Sequence, residues 1–267
     1  DFIEEHSGIS QTDICEVASL LDCDTPIISC WAMGMTQHRN AVASIQQVVN
    51  LHFLLGALGK EGAGLCPVRG HSNVQGDRTM GIWERPSSQF LDNLKRVFNF
   101  DPPREHGLNT VEAIQNMLEQ KVKFMFAMGG NFLSAAPDTN QTARALRNLD
   151  LSVQVSTKLN RSHLVTGKQA LILPCLGRSE IDFQKLGRQF QSVENSMGIV
   201  HSTQGDLKPA SPHLKSEVSI VCELAAKVHG QSPIDWLRLT EDYDRIRDLI
   251  SQCIPGFENY NQRVRDK

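Results

Sequence analysis

The sequence predicts an α/β protein with a mostly parallel sheet flanked by helices. Three features carry that expectation. Short runs with apolar residues on both faces, such as Pro26–Trp31 and Phe124–Met128, run into glycine turns, and strands of that kind are buried on both sides. Segments of helical period separate them. Strand and helix then alternate as far as Glu180, the pattern that lays parallel strands between helical layers.

An acidic, helix-like opening precedes "TPIISCWAMG", a buried strand closed by Gly34. "TQHRNAVASIQQVVNLHFLLGALG" then predicts a helix of about five turns. Thr36 is its N-cap, Gly59 lies past its end, and Val42, Ile45, Val49, Phe53 and Leu54 share one face. "PSSQFLDNLKRVFNF" and "NTVEAIQNMLEQKV" predict helices capped by Ser87 and Asn109. "KFMFAMGGN" is a strand entering a double-glycine turn, "NQTARALRNL" a short helix, and "LSVQVS" and "QALILP" two further strands. Beyond Glu180 the strand signal fades, leaving helices at "SEVSIVCELAAKV" and "TEDYDRIRDLISQCI". No internal repeat or low-complexity segment is present.

The 267 residues suffice for one large or two ordinary domains. With 40% hydrophobic and 21% charged residues the composition is that of a globular protein. A net charge of −3 supplies no electrostatic attraction for nucleic acid or an anionic membrane, and no apolar run is long enough to span a bilayer. Seven dispersed cysteines without a C-x-x-C pair fit reduced thiols, hence a cytoplasmic setting, and argue against a zinc ribbon or a cysteine-held cluster within this segment. The opening "DFIEEHSGIS" lacks an initiator Met and a signal pattern, and reads as a cut inside a longer protein.

Ligands of such sheets lie outside the carboxyl ends of the strands. Those ends carry residues 34–38, 129–138, 156–163 and 174–180, all rich in Gly, Ser, Thr and Asn. Ordinary turns share that composition, but four such loops at one sheet end favour a ligand. The helix starts after Thr36 and Asp138 add partial positive charge suited to an anion. Walker A fails, because Gly167–Lys168 lacks the earlier glycine and the hydroxyl. G-x-G-x-x-G also fails, and neither H-E-x-x-H nor G-x-S-x-G occurs.

The stretch "GKEGAGLCPVRGHSNVQGDRTMG", residues 59–81, holds six glycines and shows neither helical period nor strand alternation. It is either a surface loop or a backbone shaped around a ligand. Arg69 can clamp an oxyanion with two parallel hydrogen bonds, or pair on the surface with Glu61 or Asp77. His71 can shuttle a proton or sit exposed in a loop.

"WAMGMTQH", a helix, and then residues 59–81 resemble the formate-dehydrogenase branch of the dimethyl-sulfoxide-reductase superfamily, the enzymes of bis-molybdopterin guanine dinucleotide. "MGGNFLSAAPD" is similar to that family's M-G-[EG]-N-x-x-x-x-x-P-D, and "ALILP" to its A-D-V-V-L-P strand. "VRGHSNVQG" and "STKLNRSH" look typical of the formate-dehydrogenase-like molybdopterin oxidoreductase alpha subunits. The resemblance extends over nearly the whole chain.

It implies a Rossmann-like α/β fold of the type in the first three domains of those enzymes. Residues 1–71 would complete one cofactor-binding domain, 72–185 form a second that binds the dinucleotide arm, and 186–267 make a mainly helical tail. It implies that Arg69 lies beside the metal and holds a small oxyanion such as formate, with His71 relaying a proton or bonding a pterin. Gly70, Ser72, Asn73 and Gln75 would contact a pterin, and Gly34, Met35, Thr36 and Gln37 lie near the cofactor. Gly129, Gly130, Asn131 and Ser134 match a turn around the guanosine–pyrophosphate arm. Ser156, Thr157, Lys158, Asn160 and Arg161 occupy the segment where many relatives place an Asp on the guanine. Two departures stand out: His71 replaces a usual Gln, and Ser156–Thr157 replaces that Asp. The family's ligand to Mo or W, and any iron–sulfur cysteines, precede these motifs, so no metal ligand is expected among these residues. The implied function is that of a central piece of a molybdenum- or tungsten-dependent oxidoreductase with an electron-transfer partner, inactive alone. The alternatives are a guanine-nucleotide-binding module and a non-catalytic scaffold derived from the family.

Overall fold

The computed structural model describes residues 2–21 and 24–266, so Cys23 lies outside the described residues. The chain divides into two compact units, residues 1–74 with 195–199, and residues 75–194 with 200–267.

The first unit opens with α1 (Phe2–Ser7) and α2 (Gln11–Ser19). Ser10 and Asp13 cap α2 reciprocally, each side chain satisfying the other's backbone N–H. Strand β1 (Ile28–Trp31) leads into the single turn α3 (Met33–Thr36), then α4 (Ala41–Leu54), then β2 (Gly64–Pro67). β1 and β2 pair in parallel, Ile28 against Gly64 through Trp31 against Pro67. The glycine-rich stretch therefore contains a strand that its composition conceals.

The helix expected from Thr36 breaks in two. His38 Nε2 lies 2.6 Å from the Gly34 carbonyl oxygen and Gln37 leaves helical geometry, so α4 starts only after Asn40. Its inner face is also rotated from the expected one. His52 is fully buried, Ala41, Ile45, Val48, Val49 and Leu55 are half-buried, and Val42, Phe53 and Leu54 are exposed. A buried polar side chain requires a partner, and His52 Nε2 finds the Ser29 hydroxyl on β1 at 2.7 Å.

Helix α5 (Val74–Thr79) crosses into the second unit at Gln75, and α6 (Ser88–Phe98) and α7 (Thr110–Leu118) follow. Ser87 caps α6, and Asn109 with Glu112 forms a capping box on α7. Then come β3 (Phe124–Met128), α8 (Phe132–Ala135), α9 (Thr139–Arg147), β4 (Leu151–Ser156), a 3₁₀ turn at Arg161–Leu164, and β5 (Gln169–Pro174). The sheet is parallel in the order β3–β4–β5, with Met125 opposite Ser152 and Val153 opposite Leu171. Val153 and Val155 of the central strand are buried. The core gathers Ile114 and Met117 of α7, Leu133 of α8, and Ala145, Leu146 and Leu149 of α9 and its exit. Each large side chain buried there contributes about 1.5–3 kcal/mol. Asn148 Nδ2 locks the packing of α9 on α7 by donating to the Leu118 carbonyl at 3.2 Å.

Before the helices expected of the tail, the stretch after Glu180 forms strands that the sequence did not signal. Two antiparallel hairpins form, β6 (Phe183–Gln184) with β7 (Gly187–Arg188) and β8 (Gln191–Glu194) with β9 (Val200–Thr203). Their strands are too short to show a period. Helices α10 (Glu217–Val228), α11 (Trp236–Glu241), α12 (Asp244–Cys253) and α13 (Tyr260–Arg263) follow. Tyr243, Asp182, Ser216 and Gln184 join the hairpins to the helices: the Tyr243 hydroxyl donates to Asp182 at 2.5 Å and lies 2.6 Å from Ser216 Oγ, and Gln184 donates to Asp182 at 2.6 Å. Among the described residues no helix is long and apolar enough to cross a membrane.

Candidate functional site

Each unit gathers one set of the predicted residues at the carboxyl ends of its parallel strands. In the first unit, β1 ends at Trp31 and the chain coils at once into α3, which carries Gly34, Met35 and Thr36. The turn is held by Met35 and Thr36 N–H groups donating to the Ala32 carbonyl, and by Gln37 N–H donating to the Met33 carbonyl at 2.9 Å. Beside it, Val68 N–H donates to the Trp31 carbonyl at 2.8 Å and extends the parallel ladder by one residue beyond β2. That bond delivers Arg69 and Gly70 alongside α3. A Cβ on Gly70 would stand 3.3 Å from the Met33 ε-methyl, so glycine lets the two loops touch.

The Arg69–Asn73 loop then exposes Arg69, Gly70, His71 and Ser72. Asn73 adopts the left-handed region at φ 70°, a conformation Asn tolerates, and the chain turns there into α5. Gln75 lies in α5 and belongs to the second unit.

In the second unit, β3 ends in Gly129 and Gly130, at φ 67° and 70°. Two successive left-handed residues favour glycine, and a Cβ on either would meet only open space. Gly129 N–H donates to the Val155 carbonyl of β4 at 2.8 Å. Asn131 caps α8, its Oδ1 accepting from Ser134 N–H at 3.4 Å.

The loop after β4 is tied to that turn. Asn160 Nδ2 donates to the Gly130 carbonyl at 2.8 Å, and its Oδ1 accepts from Ser162 N–H at 2.9 Å. The buried Ser162 hydroxyl donates to Asn131 Oδ1 at 3.0 Å and accepts from Leu133 N–H at 2.8 Å. Ser156 Oγ donates to the Lys158 carbonyl at 2.7 Å, bending the strand exit and leaving Thr157, Lys158 and Arg161 exposed.

Sequence reasoning stopped short of Ser162 and His163, which close the "STKLNRSH" stretch it singled out. His163 is 9% exposed, and its Nδ1 accepts from the Asn160 backbone N–H at 3.0 Å. Nδ1 also lies 3.3 Å and 3.2 Å from the carbonyl and side-chain oxygens of Asn160. The other ring nitrogen, Nε2, is buried and has no hydrogen-bond partner among the described residues. Sequence reasoning also passed over His38, whose contact with Gly34 fixes α3.

In the first unit Arg69 supplies fixed positive charge beside glycine backbone and the His71 imidazole. In the second, Lys158 and Arg161 supply it in the loop tied to the open double-glycine turn, with hydroxyls, side-chain amides and the unpartnered His163 Nε2, a donor set that fits an anionic, hydrogen-bonding ligand.

The comparisons agree with this chemistry. The family model described as molybdopterin oxidoreductase matches residues 13–164. The chain is 51% identical over 266 residues to an uncharacterized oxidoreductase of Mycobacterium tuberculosis and 48% identical over 263 residues to protein YdeP of Escherichia coli K12. It is 24% identical over 260 residues to the alpha subunit of an F420-dependent formate dehydrogenase of Methanocaldococcus jannaschii. These alignments cover 99%, 98% and 94% of this chain but 34%, 35% and 36% of the relatives, so the chain spans about a third of the length of the curated relatives it matches. With more than half of its residues matched by the family model, the chain belongs to the molybdopterin oxidoreductase family.

Proposed function

We propose that this chain is the central, cofactor-holding part of an oxidoreductase that uses molybdopterin in its guanine dinucleotide form and acts on a small oxyanion such as formate. The observation that carries the reading is the double-glycine turn after β3, laced by Asn160 and Ser162 to the loop after β4. Open backbone at Gly129 and Gly130, tied through Asn160 to the loop that carries Lys158 and Arg161, suits a pyrophosphate, while the hydroxyls of Ser156 and Thr157 and the unpartnered His163 Nε2 suit the polar edge of a guanine. Gly70 to Asn73 and Gln75 would contact a pterin, and Gly34 to Gln37 would lie near the cofactor.

When bound, such a cofactor supplies metal-centred redox chemistry; the residues of this chain orient it and balance charge. Arg69 would hold the oxyanion through its planar guanidinium and stabilise negative charge on it. His71 would carry a proton or donate to a pterin. Residues 1–71 and 72–185 are read as parts of two cofactor-binding domains, and residues 186–267 as a tail leading to a further one. Electrons would pass to a separate partner, in the cytoplasm.

The test is the metal and pterin content of the full-length protein purified without oxygen. Mo or W together with a pterin and GMP released on acid hydrolysis is expected, with turnover lost in Arg69→Ala while cofactor is retained. Full-length protein containing neither metal nor pterin ends the reading.

A further inference from the structure

Cys30 and Cys66 face each other across the first unit. They occupy the same rung of the parallel pair, Cys30 on β1 opposite Cys66 on β2, and both are exposed. Residues on one rung of a parallel pair direct their side chains to the same side of the sheet, with strands about 4.8 Å apart. A disulfide spans Cα atoms about 4.4–6.8 Å apart, so the rung is within bonding reach. The Cys30 thiol is held above its ordinary value, first by desolvation and then by a hydrogen bond and the charge of the Cys66 sulfur. Two sulfurs alone make an incomplete metal site: among the described residues no three His, Cys, Asp or Glu side chains converge.

We propose that Cys30 and Cys66 form a reversible disulfide with small-molecule disulfides as oxidant, stapling β1 to β2. One cysteine thiolate attacks the small disulfide, breaking its S–S bond, forming a mixed disulfide and releasing one thiol. The second cysteine, giving up its proton, attacks the protein sulfur of that adduct and releases the second thiol. Two protein thiols are oxidised and one small disulfide is reduced to two thiols. The staple has a defined place: Trp31 and Pro67 alone separate it from the exits that lead to α3 and to Arg69. It therefore pins the roots of both loops, whether or not those loops hold a cofactor.

The test treats the reduced chain with oxidised glutathione, alkylates the remaining thiols and maps unreduced peptides by mass spectrometry. The expected product is a peptide pair joined through Cys30 and Cys66, released by dithiothreitol. In Cys30→Ser the expected product is a glutathione adduct on Cys66 without the cross-link. Hydrogen exchange at residues 32–37 and 68–73 should slow in the oxidised chain. Persistent glutathione on both Cys30 and Cys66, or cross-links to other cysteines in their place, overturns the proposal. Unchanged exchange in a fully cross-linked sample overturns the stapling of the loops.

Discussion

Asn160 donates its side-chain amide to the carbonyl of Gly130 at 2.8 Å, tying the loop after β4 to the double-glycine turn after β3. The same side chain caps the 3₁₀ turn by accepting from Ser162 N–H. Asn160→Ala removes both bonds and should destabilise the chain by about 1–3 kcal/mol. Asn160→Asp keeps the cap and removes the donor, so its loss should be smaller. Urea denaturation read by fluorescence and circular dichroism ranks the two. Equal stability of the alanine variant and the parent would mean the tie carries no weight.

Glycine substitutions should separate by space and not by φ alone. A Cβ on Gly167 would lie 2.6 Å from the Leu149 carbonyl oxygen, an immovable backbone atom at the core edge. Gly129 has a positive φ but open space around it. Gly167→Ala should therefore cost about 2–4 kcal/mol through backbone displacement, and Gly129→Ala about 1 kcal/mol. The reverse order of denaturation midpoints would contradict the geometry.

Acid should weaken the second unit through Asp244. Partial burial pushes this carboxyl up, but hydrogen bonds and charge from Arg265 and Arg247 outweigh it and hold it below the usual carboxylate range. A group depressed in the folded state stabilises above its unfolded value and loses that contribution as pH falls through the folded one. The loss should begin near pH 4, about the unfolded value, and Asp244→Asn should flatten it. Unfolding free energy measured from neutral pH downward checks the slope.

Arg247 is the more costly member to remove. Its side chain is 4% exposed, stacks 3.9 Å from the Phe190 ring centre and donates to Asn261 at 2.7 Å. Arg247→Ala should cost about 1–3 kcal/mol, the range for losing buried hydrogen bonds of a charged group, since Arg265 stays paired with Asp244. Thermal melting reads the effect, and a shift within error would show that the network contributes nothing.

Tyr243 should resist ionisation. Burial first, and then its hydrogen bond to Asp182, push the phenol well above its ordinary value. A raised folded value gives stability that is complete below about pH 10, the unfolded value, and declines as pH rises beyond it. Tyr243→Phe removes the donor to Asp182 Oδ2 and should cost about 1–3 kcal/mol at neutral pH. Alkaline difference spectra should show this phenolate forming only on unfolding; early ionisation would contradict the buried network.

Local chemistry was legible in the sequence alone. Ser87, Asn109 and Asp138 announce helix starts because an N-cap acts within three residues of itself. The apolar runs of β1, β3, β4 and β5 and the double glycine after β3 likewise carry their own signals, and with them the parallel α/β layout and the loops at the strand ends. Tertiary structure decided what depends on distant partners. β2 is a strand because β1 pairs with it, although its glycine-rich setting gives no strand period. α4 turns His52 inward, and not Phe53 or Leu54, because Ser29 waits 23 residues earlier to bond its imidazole. The hairpins β6–β7 and β8–β9 exist through pairing that strands of two to four residues cannot signal. Ser162 and His163 join the candidate site because the fold sets them against Asn131, Leu133 and Asn160, contacts that no local spacing encodes.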